Sequence, residues 1–423
     1  MTDFITTTVK EVAENFDNIR VPLSSKQRES IAKIYPYYGA QSIIDHVDDF
    51  LFDGEYILVA EDGENLKSQN NNVCNLVTGK FWVNNHAHII KAKDGNNTKY
   101  LCYYLNLMNF KPFVTGSAQP KLTKDNLNSI PLKIHTKNDQ KKIAKVLSDL
   151  DAKIEINNKI NQELEAMAKT LYDYWFVQFD FPAPSSSSGQ AGKPYKSSGG
   201  KMVFNEALKR EIPEGWEMKY LTKEMDLQYG FPFSTKLFNF EENGVPVIRI
   251  RDILKGSISN YSTQEVDEKY RLNKGDILIG MDGNFHINYW NKEGCYLNQR
   301  SLRIRSNENS ISEIQAKYSI EPYIKAREKN VSRTTVAHLS AKDVNDLKVL
   351  KATNDLQLKA NKFFKSSLNQ IVSNRVENQK LSELRDWLLP MLMNGQITVG
   401  GAEREIENLG LVTEGDVKYR NKV

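Results

Sequence analysis

The chain has 423 residues, more than one ordinary hydrophobic core accommodates, so two or more domains are expected. A hydrophobic content of 40% excludes global disorder, and the absence of any run of about 18 apolar residues excludes a membrane span. The net charge of +4 permits nucleic-acid binding without demanding it. Three distant cysteines and the lack of a signal-peptide-like run indicate a cytoplasmic protein with reduced thiols.

The pattern changes character several times along the chain. Residues 56–60 and 81–83 are typical of strands and residues 100–107 of a buried helix, so the first part is a mixed domain. The predicted division is a first mixed domain over 1–136, a long helix over 137–180, a Ser- and Pro-rich linker over 181–211, a second mixed domain over 212–353, a second long helix over 354–396 that Pro390 should end or kink, and a charged tail over 397–423.

The second half of the chain repeats the first. Sliding the sequence by 217 residues pairs Gln140 with Gln357 without a gap (357 − 140 = 217). The same shift aligns two asparagine-containing segments, 157–164 and 374–381. A period this long is not a solenoid repeat of about 20–50 residues. It indicates two versions of one unit, and the fold class is therefore predicted as α+β with two similar mixed domains.

Each long helix has an apolar seam that contains two asparagines. Asn157 and Asn161 lie in the first seam, and Asn374 and Asn378 occupy the same positions in the second. A buried amide is costly unless it is paired, and the pairing exists in only one register. We therefore predict that the two helices form an antiparallel coiled coil with a pseudo-two-fold relation, and that the asparagines fix its register. The alternative is that each helix packs only on its own domain.

Helix length suggests a spacing function. About 28 helical residues at ~1.5 Å each span roughly 42 Å, slightly more than one turn of B-DNA at ~34–36 Å. Two similar domains held that far apart could contact one duplex at two places. Because their loops differ, the two contacted sequences would differ as well.

The sequence carries no recognised catalytic signature. It has neither a phosphate-binding loop motif, nor a dinucleotide-binding motif, nor the Asn-Pro-Pro-aromatic signature of amino-methyltransferases. His86 and His88 share one strand face and could bind a metal ion. No neighbouring cysteine or carboxylate cluster completes such a site, so a polar strand face is favoured and no metal is expected.

Two loops and one strand carry the candidate binding residues. The loop over 115–122 and its counterpart over 332–339 offer hydroxyl, amide and cationic groups, which suit phosphate positioning and base-edge contacts. Arg303 and Arg305 would continue a basic strand face from Arg300, although a solvated strand face fits as well. The predicted DNA contacts are Gln41, Ser117, Gln119, Lys121, Arg300, Arg303, Arg333, Thr334, Thr335 and His338.

In their order along the chain, several segments resemble the specificity subunits of type I restriction–modification systems. Each segment alone is a loose match, but the resemblance covers nearly the whole chain and is duplicated. The segments that carry it are 37–40 with 51–63, the loop 116–122, 212–217 with 229–233, and 384–396.

The resemblance implies a non-catalytic DNA-binding protein. Two target-recognition domains would each read one half of a bipartite, asymmetric site in double-stranded DNA, and the paired helices would act as the spacer. The implied partners are two methyltransferase subunits that bind S-adenosylmethionine and restriction subunits that use ATP and Mg²⁺, with no cofactor in this chain. The alternatives are a two-headed coiled-coil scaffold that binds proteins, and an enzyme with an unrecognised site.

Overall fold

The chain forms two compact units, and both combine helices with sheets, which confirms the predicted α+β class. The first unit contains Met1–Ile154 and Lys380–Val423, and the second contains Glu155–Gln379. Both long helices therefore contribute to both units. The computed structural model describes residues 4–68, 71–116, 120–183, 191–307, 310–329 and 337–410.

The first unit is built on a six-stranded sheet in the order β2-β7-β5-β6-β3-β4, with the smaller pairs β1-β10 and β8-β9 beside it. Its strands are β1 (Phe4–Thr8), β2 (Ala13–Asn15), β3 (Tyr35–Tyr38), β4 (Ile43–Val47), β5 (Phe52–Ala60), β6 (Cys74–Val83), β7 (Ala87–Ala92), β8 (Val114–Thr115), β9 (Lys121–Leu122) and β10 (Pro131–His135). Its helices are α1 (Val9–Val12), α2 (Ser25–Glu29), α3 (Asn65–Ser68), α4 (Thr98–Leu107), α5 (Lys124–Ser129) and the first part of α6 (Lys137–Tyr172).

Strand β5 is the centre of this sheet, and its apolar run reflects burial on both faces. Ile57 and Val59 belong to the main core with helix α4, whereas Leu58 packs with Phe81 on the opposite face. Successive strand side chains alternate between faces, so an uninterrupted apolar run is what a doubly covered strand requires. Helix α4 begins where the side chain of Asn97 accepts a hydrogen bond from its first turn.

The second unit has two four-stranded sheets, in the orders β14-β21-β18-β19 and β15-β17-β16-β20, and the pairs β11-β12 and β13-β22. Its strands are β11 (Met202–Asn205), β12 (Arg210–Pro213), β13 (Glu217–Tyr220), β14 (Met225–Tyr229), β15 (Phe238–Asn239), β16 (Val245–Ile248), β17 (Asn260–Ser262), β18 (Ile277–Gly280), β19 (Ile287–Tyr289), β20 (Tyr296–Leu297), β21 (Ser301–Ser306) and β22 (Lys348–Lys351). Its helices are α7 (Leu221–Glu224), α8 (Ile250–Ile253), α9 (Glu313–Lys329), α10 (Ala341–Asn345) and most of α11 (Asn354–Met393).

A parallel strand pair in each unit shows which residues of the two units occupy corresponding positions. Strand β3 runs parallel to the end of β6, and β16 runs parallel to β20. At the end of each pair a peptide N–H donates to the neighbouring strand, from Asn84 to Tyr38 at 3.0 Å and from Asn298 to Ile248 at 2.9 Å. Asn84 therefore corresponds to Asn298, and Tyr38 corresponds to Ile248.

Within the second unit, helices α6 and α11 run antiparallel, as predicted. Asn157 contacts Asn378 while Asn161 contacts Asn374, so residue numbers rise along one helix as they fall along the other. Helix α6 is followed directly by one π-helical turn, Asp173–Val177. The predicted antiparallel pairing of the long helices is confirmed, and the pseudo-two-fold relation stays a prediction.

The seam asparagines bind one another across the helix pair. Asn157 Nδ2 donates to Asn378 Oδ1 at 2.8 Å and to Glu377 Oε2 at 2.7 Å, and Asn374 Nδ2 donates to Asn161 Oδ1 at 2.9 Å. Asn157, Asn161 and Asn374 are buried. The amides therefore have partners that depend on the alignment of the helices, and their role in fixing the register stays a prediction.

Three segments differ from the expectations. Part of the linker over 181–211 is folded, because β11 and β12 form a hairpin and Phe181 stacks on Trp216 at 5.1 Å. Pro390 lies inside the last turn of α11, which continues to Met393, since one missing donor so near the helix end is tolerated. The tail over 397–423 contains a further helix, α12 (Val399–Asn408), which buries Ala402 and Ile406 in the core of the first unit.

Across the described ranges, no helix combines the length and the apolar character that a bilayer crossing would need.

Candidate functional site

A polar cleft of about 430 Å³ opens in the second unit where β16, β18 and β21 begin or end. It combines three guanidinium groups with a carboxylate, an imidazole and several amides, so it suits a polar ligand with both donors and acceptors. Its lining residues are Arg249, Ile250, Arg251, Asp282, Asn284, His286, Asn298, Gln299 and Arg300.

Asp282 holds two side chains at this cleft. Arg300 Nη1 donates to Asp282 Oδ2 at 2.8 Å, and His338 Nδ1 lies 2.6 Å from Asp282 Oδ1. A backbone bridge between Asp282 and His338 keeps the latter in place. Burial opposes ionisation of Asp282, but the hydrogen bonds from His338 and Arg300 outweigh it, so the pKa of Asp282 lies below its ordinary value. The carboxylate is therefore charged and orients both groups.

Arg300 has a strained backbone. Its φ of 63° lies in the left-handed region that a residue with a Cβ seldom adopts. The carbonyl of Arg300 accepts a hydrogen bond from the Met281 N–H at 2.9 Å, which secures this conformation at the start of β21. The side chain is 63% exposed. Strain of this kind is concentrated at functional sites, because neighbouring structure must compensate for it.

The sequence analysis missed Arg249 and Arg251, which flank the start of α8. Arg251 Nη2 donates to Asn260 Oδ1 at 2.8 Å and to Ser259 Oγ at 3.1 Å, and Arg249 Nη1 donates to the same Asn260 oxygen at 3.3 Å. Buried Asn260 thus fixes two cations, while the Arg251 side chain stays 57% exposed. Two arginines directly after an apolar strand were the available signal, but their common partner is visible only in the fold.

The first unit carries a cleft of different chemistry. It encloses about 490 Å³, and the described residues that line it carry amide and hydroxyl side chains. Asn75 Nδ2 donates to the Gln41 carbonyl at 3.0 Å, and Gln41 itself is exposed. Within the described ranges, buried Asn65 Nδ2 has no hydrogen-bond partner. The lining residues are Gln41, Ser42, Asn65, Asn71, Asn72 and Asn75.

An aspartate also binds an imidazole side chain in the first unit, and its backbone pairs with that of a lysine. His86 Nδ1 lies 2.6 Å from Asp62 Oδ2, and a backbone bridge joins Asp62 to Lys121. Lys121 Nζ lies 3.1 Å from Glu61 Oε1, and its side chain remains more than half exposed. Of the predicted contacts in this loop, Lys121 is thus held at the surface, and His86 joins it as a residue that the predicted set did not include.

His88 is a core residue and differs from the polar strand face that was favoured for this pair. It is 2% exposed, with Nδ1 2.6 Å from Asp17 Oδ2 and Nε2 2.8 Å from the carbonyl of Leu122. Burial raises the pKa of Asp17, but the hydrogen bonds from His88 and the Ile89 N–H lower it by a larger amount. The pKa of Asp17 therefore lies below its ordinary value. In the part of the chain that the structure describes, no cluster of histidine, cysteine and carboxylate could hold a metal ion.

The predicted basic strand face is wrong. Strand β21 is central in its sheet, and Arg303 is only 4% exposed. Its guanidinium forms an ion pair with Asp226, and Arg305 donates to both carboxylate oxygens of Asp276 at 2.7 Å. Arg303 is therefore unavailable to a ligand. Five other predicted contacts lie outside the described residues, namely Ser117, Gln119, Arg333, Thr334 and Thr335.

Comparison with known proteins gives a match in each half of the chain. The family model described as "Type I restriction modification DNA specificity domain" matches residues 1–166 and 213–352, more than half of the sequence. S.HindORF215P of Haemophilus influenzae is 41% identical over 142 residues, which are 34% of this chain and 36% of that relative. The type I restriction enzyme MjaIX specificity subunit of Methanocaldococcus jannaschii is 24% identical over 328 residues, or 73% of this chain and 71% of that relative. The chain thus matches about a third of the length of the first relative.

A solved structure shares the fold. The crystal structure of a type I restriction–modification system S subunit from M. genitalium superposes with a TM-score of 0.58 at 18% sequence identity. The superposition covers 93% of this chain and 96% of the other.

Proposed function

The chain belongs to the family of type I restriction–modification DNA specificity domains, and from this premise we propose that it recognises a bipartite, asymmetric site in double-stranded DNA. The observation that carries the proposal is the duplicated family match, over residues 1–166 and 213–352. Each matched half contains a polar cleft, and in each half an aspartate binds an arginine or histidine side chain. Since the two clefts differ in chemistry, the two half-sites would differ in sequence.

In this proposal the chain is a non-catalytic subunit. The division of labour would place S-adenosylmethionine on two methyltransferase subunits, and ATP with Mg²⁺ on restriction subunits. The aspartates support this reading, because Asp62 and Asp282 are both occupied by cationic or imidazole partners and serve to orient them. The long helices would hold the half-sites at a fixed separation, with the asparagine seam setting their alignment.

DNA binding by the full chain with its methyltransferase partner tests the proposal. Fluorescence anisotropy would compare a duplex carrying the methylated split site with one in which either half-site is scrambled. We expect scrambling either half to weaken binding at least about tenfold, since each wrong base pair costs about 1–3 kcal/mol. Binding should also weaken as salt rises, because phosphate contacts release counterions. Equal, salt-independent affinity for all duplexes would refute the proposal and leave a protein-binding scaffold.

A domain exchange tests the modular assignment. Residues 212–353 would be replaced by the matching segment of another family member, and the methylated motif would be read by sequencing. One half-site should change and the other should remain. A change in both halves would contradict the separate recognition of half-sites.

A further inference from the structure

We infer that the second unit recognises guanine in its half-site through Arg251 and Arg300, whereas the first unit contacts its half-site at the matched positions through Gln41 and His86. This inference rests on the proposed function and specifies its chemistry. It comes from matching the two units position by position, which the offset of the sequence repeat alone does not permit.

The correspondence follows from backbone hydrogen bonds within each unit. Gln41 is the third residue after Tyr38, and Arg251 is the third residue after Ile248. Tyr38 and Ile248 are equivalent because each accepts the N–H that follows the parallel strand pair. Gln41, in the turn before β4, and Arg251, in α8, therefore stand at the same distance along the chain from the shared strand pair, and each lines the cleft of its own unit.

A second position is matched in the same way. His86 lies two residues after Asn84, and Arg300 lies two residues after Asn298. Both side chains bind the aspartate of their unit, His86 to Asp62 and Arg300 to Asp282.

The aspartate also defines the third matched position. Asp62 forms a backbone bridge with Lys121, and Asp282 forms the same bridge with His338. In both units one aspartate thus contacts the same two positions, but the residues at those positions differ between the units.

The exchanged side chains differ in the bases that they suit. A guanidinium donates two parallel hydrogen bonds to O6 and N7 of guanine, whereas a glutamine amide pairs with N6 and N7 of adenine. Arg251 and Arg300 provide two guanidinium groups in the second unit, and neither matched position of the first unit is an arginine. Among its described residues, the first cleft offers amides and hydroxyls.

Both arginines are oriented before a ligand arrives. Asn260 and Ser259 bind one edge of Arg251, and Asp282 binds Nη1 of Arg300, so each guanidinium keeps exposed N–H groups. Restricting a flexible side chain in this way lowers the entropic cost of binding. The left-handed backbone of Arg300, secured by the Met281 N–H, fixes the point at which this side chain leaves the chain.

Motif mapping with exchanged residues tests the inference. The full complex of this chain with its methyltransferase partner would be expressed in a host without its own adenine methylation, and methylated adenines would be mapped by sequencing. Arg251→Gln and Arg300→His place the first-unit residues in the second unit. Arg271→Gln is the matched control, because Arg271 is a half-exposed arginine of the same unit that also pairs with a carboxylate.

We expect the wild-type complex to methylate a split motif in which the half-site read by the second unit contains guanine. At least one of the two exchanges should weaken or change the preference for guanine at one position, while the other half-site stays the same. The Arg271→Gln complex should keep the wild-type motif. If a specific motif is methylated but both exchanges leave its bases unchanged, the inference is wrong and the proposed function stands. If no specific motif is methylated at all, the proposed function itself fails.

An atomic substitution in the DNA gives a second test that does not depend on protein folding. Replacing the affected guanine by 7-deazaguanine removes the N7 acceptor, and binding by the wild-type complex should weaken at least about fivefold, as expected for one side of a bidentate contact. The variant that relaxed this position should bind both duplexes equally. Undiminished binding of the 7-deazaguanine duplex by the wild-type complex would overturn the guanine contact.

Discussion

The first unit fastens its long helices with a polar cluster. Arg385 Nη1 on α11 donates to Asp151 Oδ1 on α6 at 2.7 Å, and Tyr103 on α4 donates its hydroxyl to the other oxygen of Asp151. Burial and the charge of Asp151 raise the pKa of Tyr103, so its phenol remains a neutral donor. The three side chains thus connect three helices of the unit.

The second unit has apolar residues at the matched positions. Adding 217 to 151 gives Leu368, and subtracting 217 from 385 gives Ala168. Both residues are buried in one hydrophobic cluster. The positions of the Asp151–Arg385 ion pair are therefore filled by apolar side chains in the second unit.

The difference shows that the two units keep the same backbone positions but not the same side-chain interactions at those positions. His88 follows the same pattern, because its counterpart in the second unit is buried Leu302 (302 − 88 = 214). A helix junction can be stabilised by charge or by apolar area, provided that each partner set is complete. A junction that combines residues from the two sets should consequently be less stable than a junction that keeps either set complete.

The largest effect is expected when a first-unit residue enters the second unit. Leu368→Asp would place a carboxylate in this hydrophobic cluster, where Ala168 stands at the position from which Arg385 supplies the cation in the first unit, and should destabilise the unit by more than about 3 kcal/mol. Hydrogen exchange of the full chain would report this as lost protection of residues 313–329. Leu368→Met is the control and should cost less than about 1.5 kcal/mol. Equal protection in both variants would contradict the apolar description of this junction.

The asparagine seam is where the two repeats keep the same residue, so it should respond differently. Asn161→Leu would leave buried Asn374 without its 2.9 Å partner and should cost about 1–3 kcal/mol. The double replacement Asn161→Leu with Asn374→Leu removes both amides and should recover most of that loss. Thermal unfolding of the two variants measures the difference. A double variant as unstable as the sum of its single variants would mean that the amides do not act as a pair.

The reverse exchange in the first unit should have a smaller effect. Asp151→Leu removes the partner of Arg385 and Tyr103, but Asp151 is 37% exposed, so water can replace part of what is lost. We expect a cost of about 1–2 kcal/mol, measured by local hydrogen exchange of α4. Adding Arg385→Ala, the residue found in the second unit, should restore part of the stability. A cost above that of Leu368→Asp would reverse the order proposed for the two junctions.

These junctions also show what sequence reasoning could reach. Gln140 and Gln357 recur at the repeat offset, and both are buried against the backbone just before their helices, so a shared frame position was visible. The pairing of the long helices was predictable because the seam has a regular period, and the antiparallel direction because a whole domain separates the two helices in the chain. The ion-pair partner of Arg303 was not predictable, because Asp226 lies 77 residues away in the chain. The alternation of side chains along one strand does not show which residue of another strand lies opposite.

The candidate site was only partly predictable for a related reason. Gln41, Lys121 and His338 were predicted from side-chain type and loop position, Arg300 was predicted as part of a strand face, and the structure places all four at the surface. Arg251 was missed because its orientation depends on Asn260, a buried residue on strand β17. Loop residues could be proposed from the sequence, whereas side chains whose orientation depends on a residue distant in the chain could not.

The smallest effect concerns acid stability and again separates the two units. Asp17 faces His88, Arg20 and the Ile89 N–H, and its pKa lies below the ordinary value of about 3.9 for an unfolded chain. A carboxyl with a lowered folded pKa contributes stability that is complete above the unfolded value and is lost as pH falls through the folded value. Protection of β7 should therefore decrease below about pH 4 relative to β21, where Leu302 replaces His88.

Asp17→Asn separates this contribution from general acid effects. The variant should be less stable than the wild type at neutral pH, because a neutral amide cannot carry the charge that His88 and Arg20 face. Its β7 protection, corrected for the intrinsic exchange rate, should change less between pH 7 and pH 3 than that of the wild type. Glu61 also contacts Arg20 at 2.8 Å and has a lowered pKa, so it remains as a second titrating group. An unchanged acid response in Asp17→Asn would assign the acid sensitivity to Glu61, and Glu61→Gln would then abolish it.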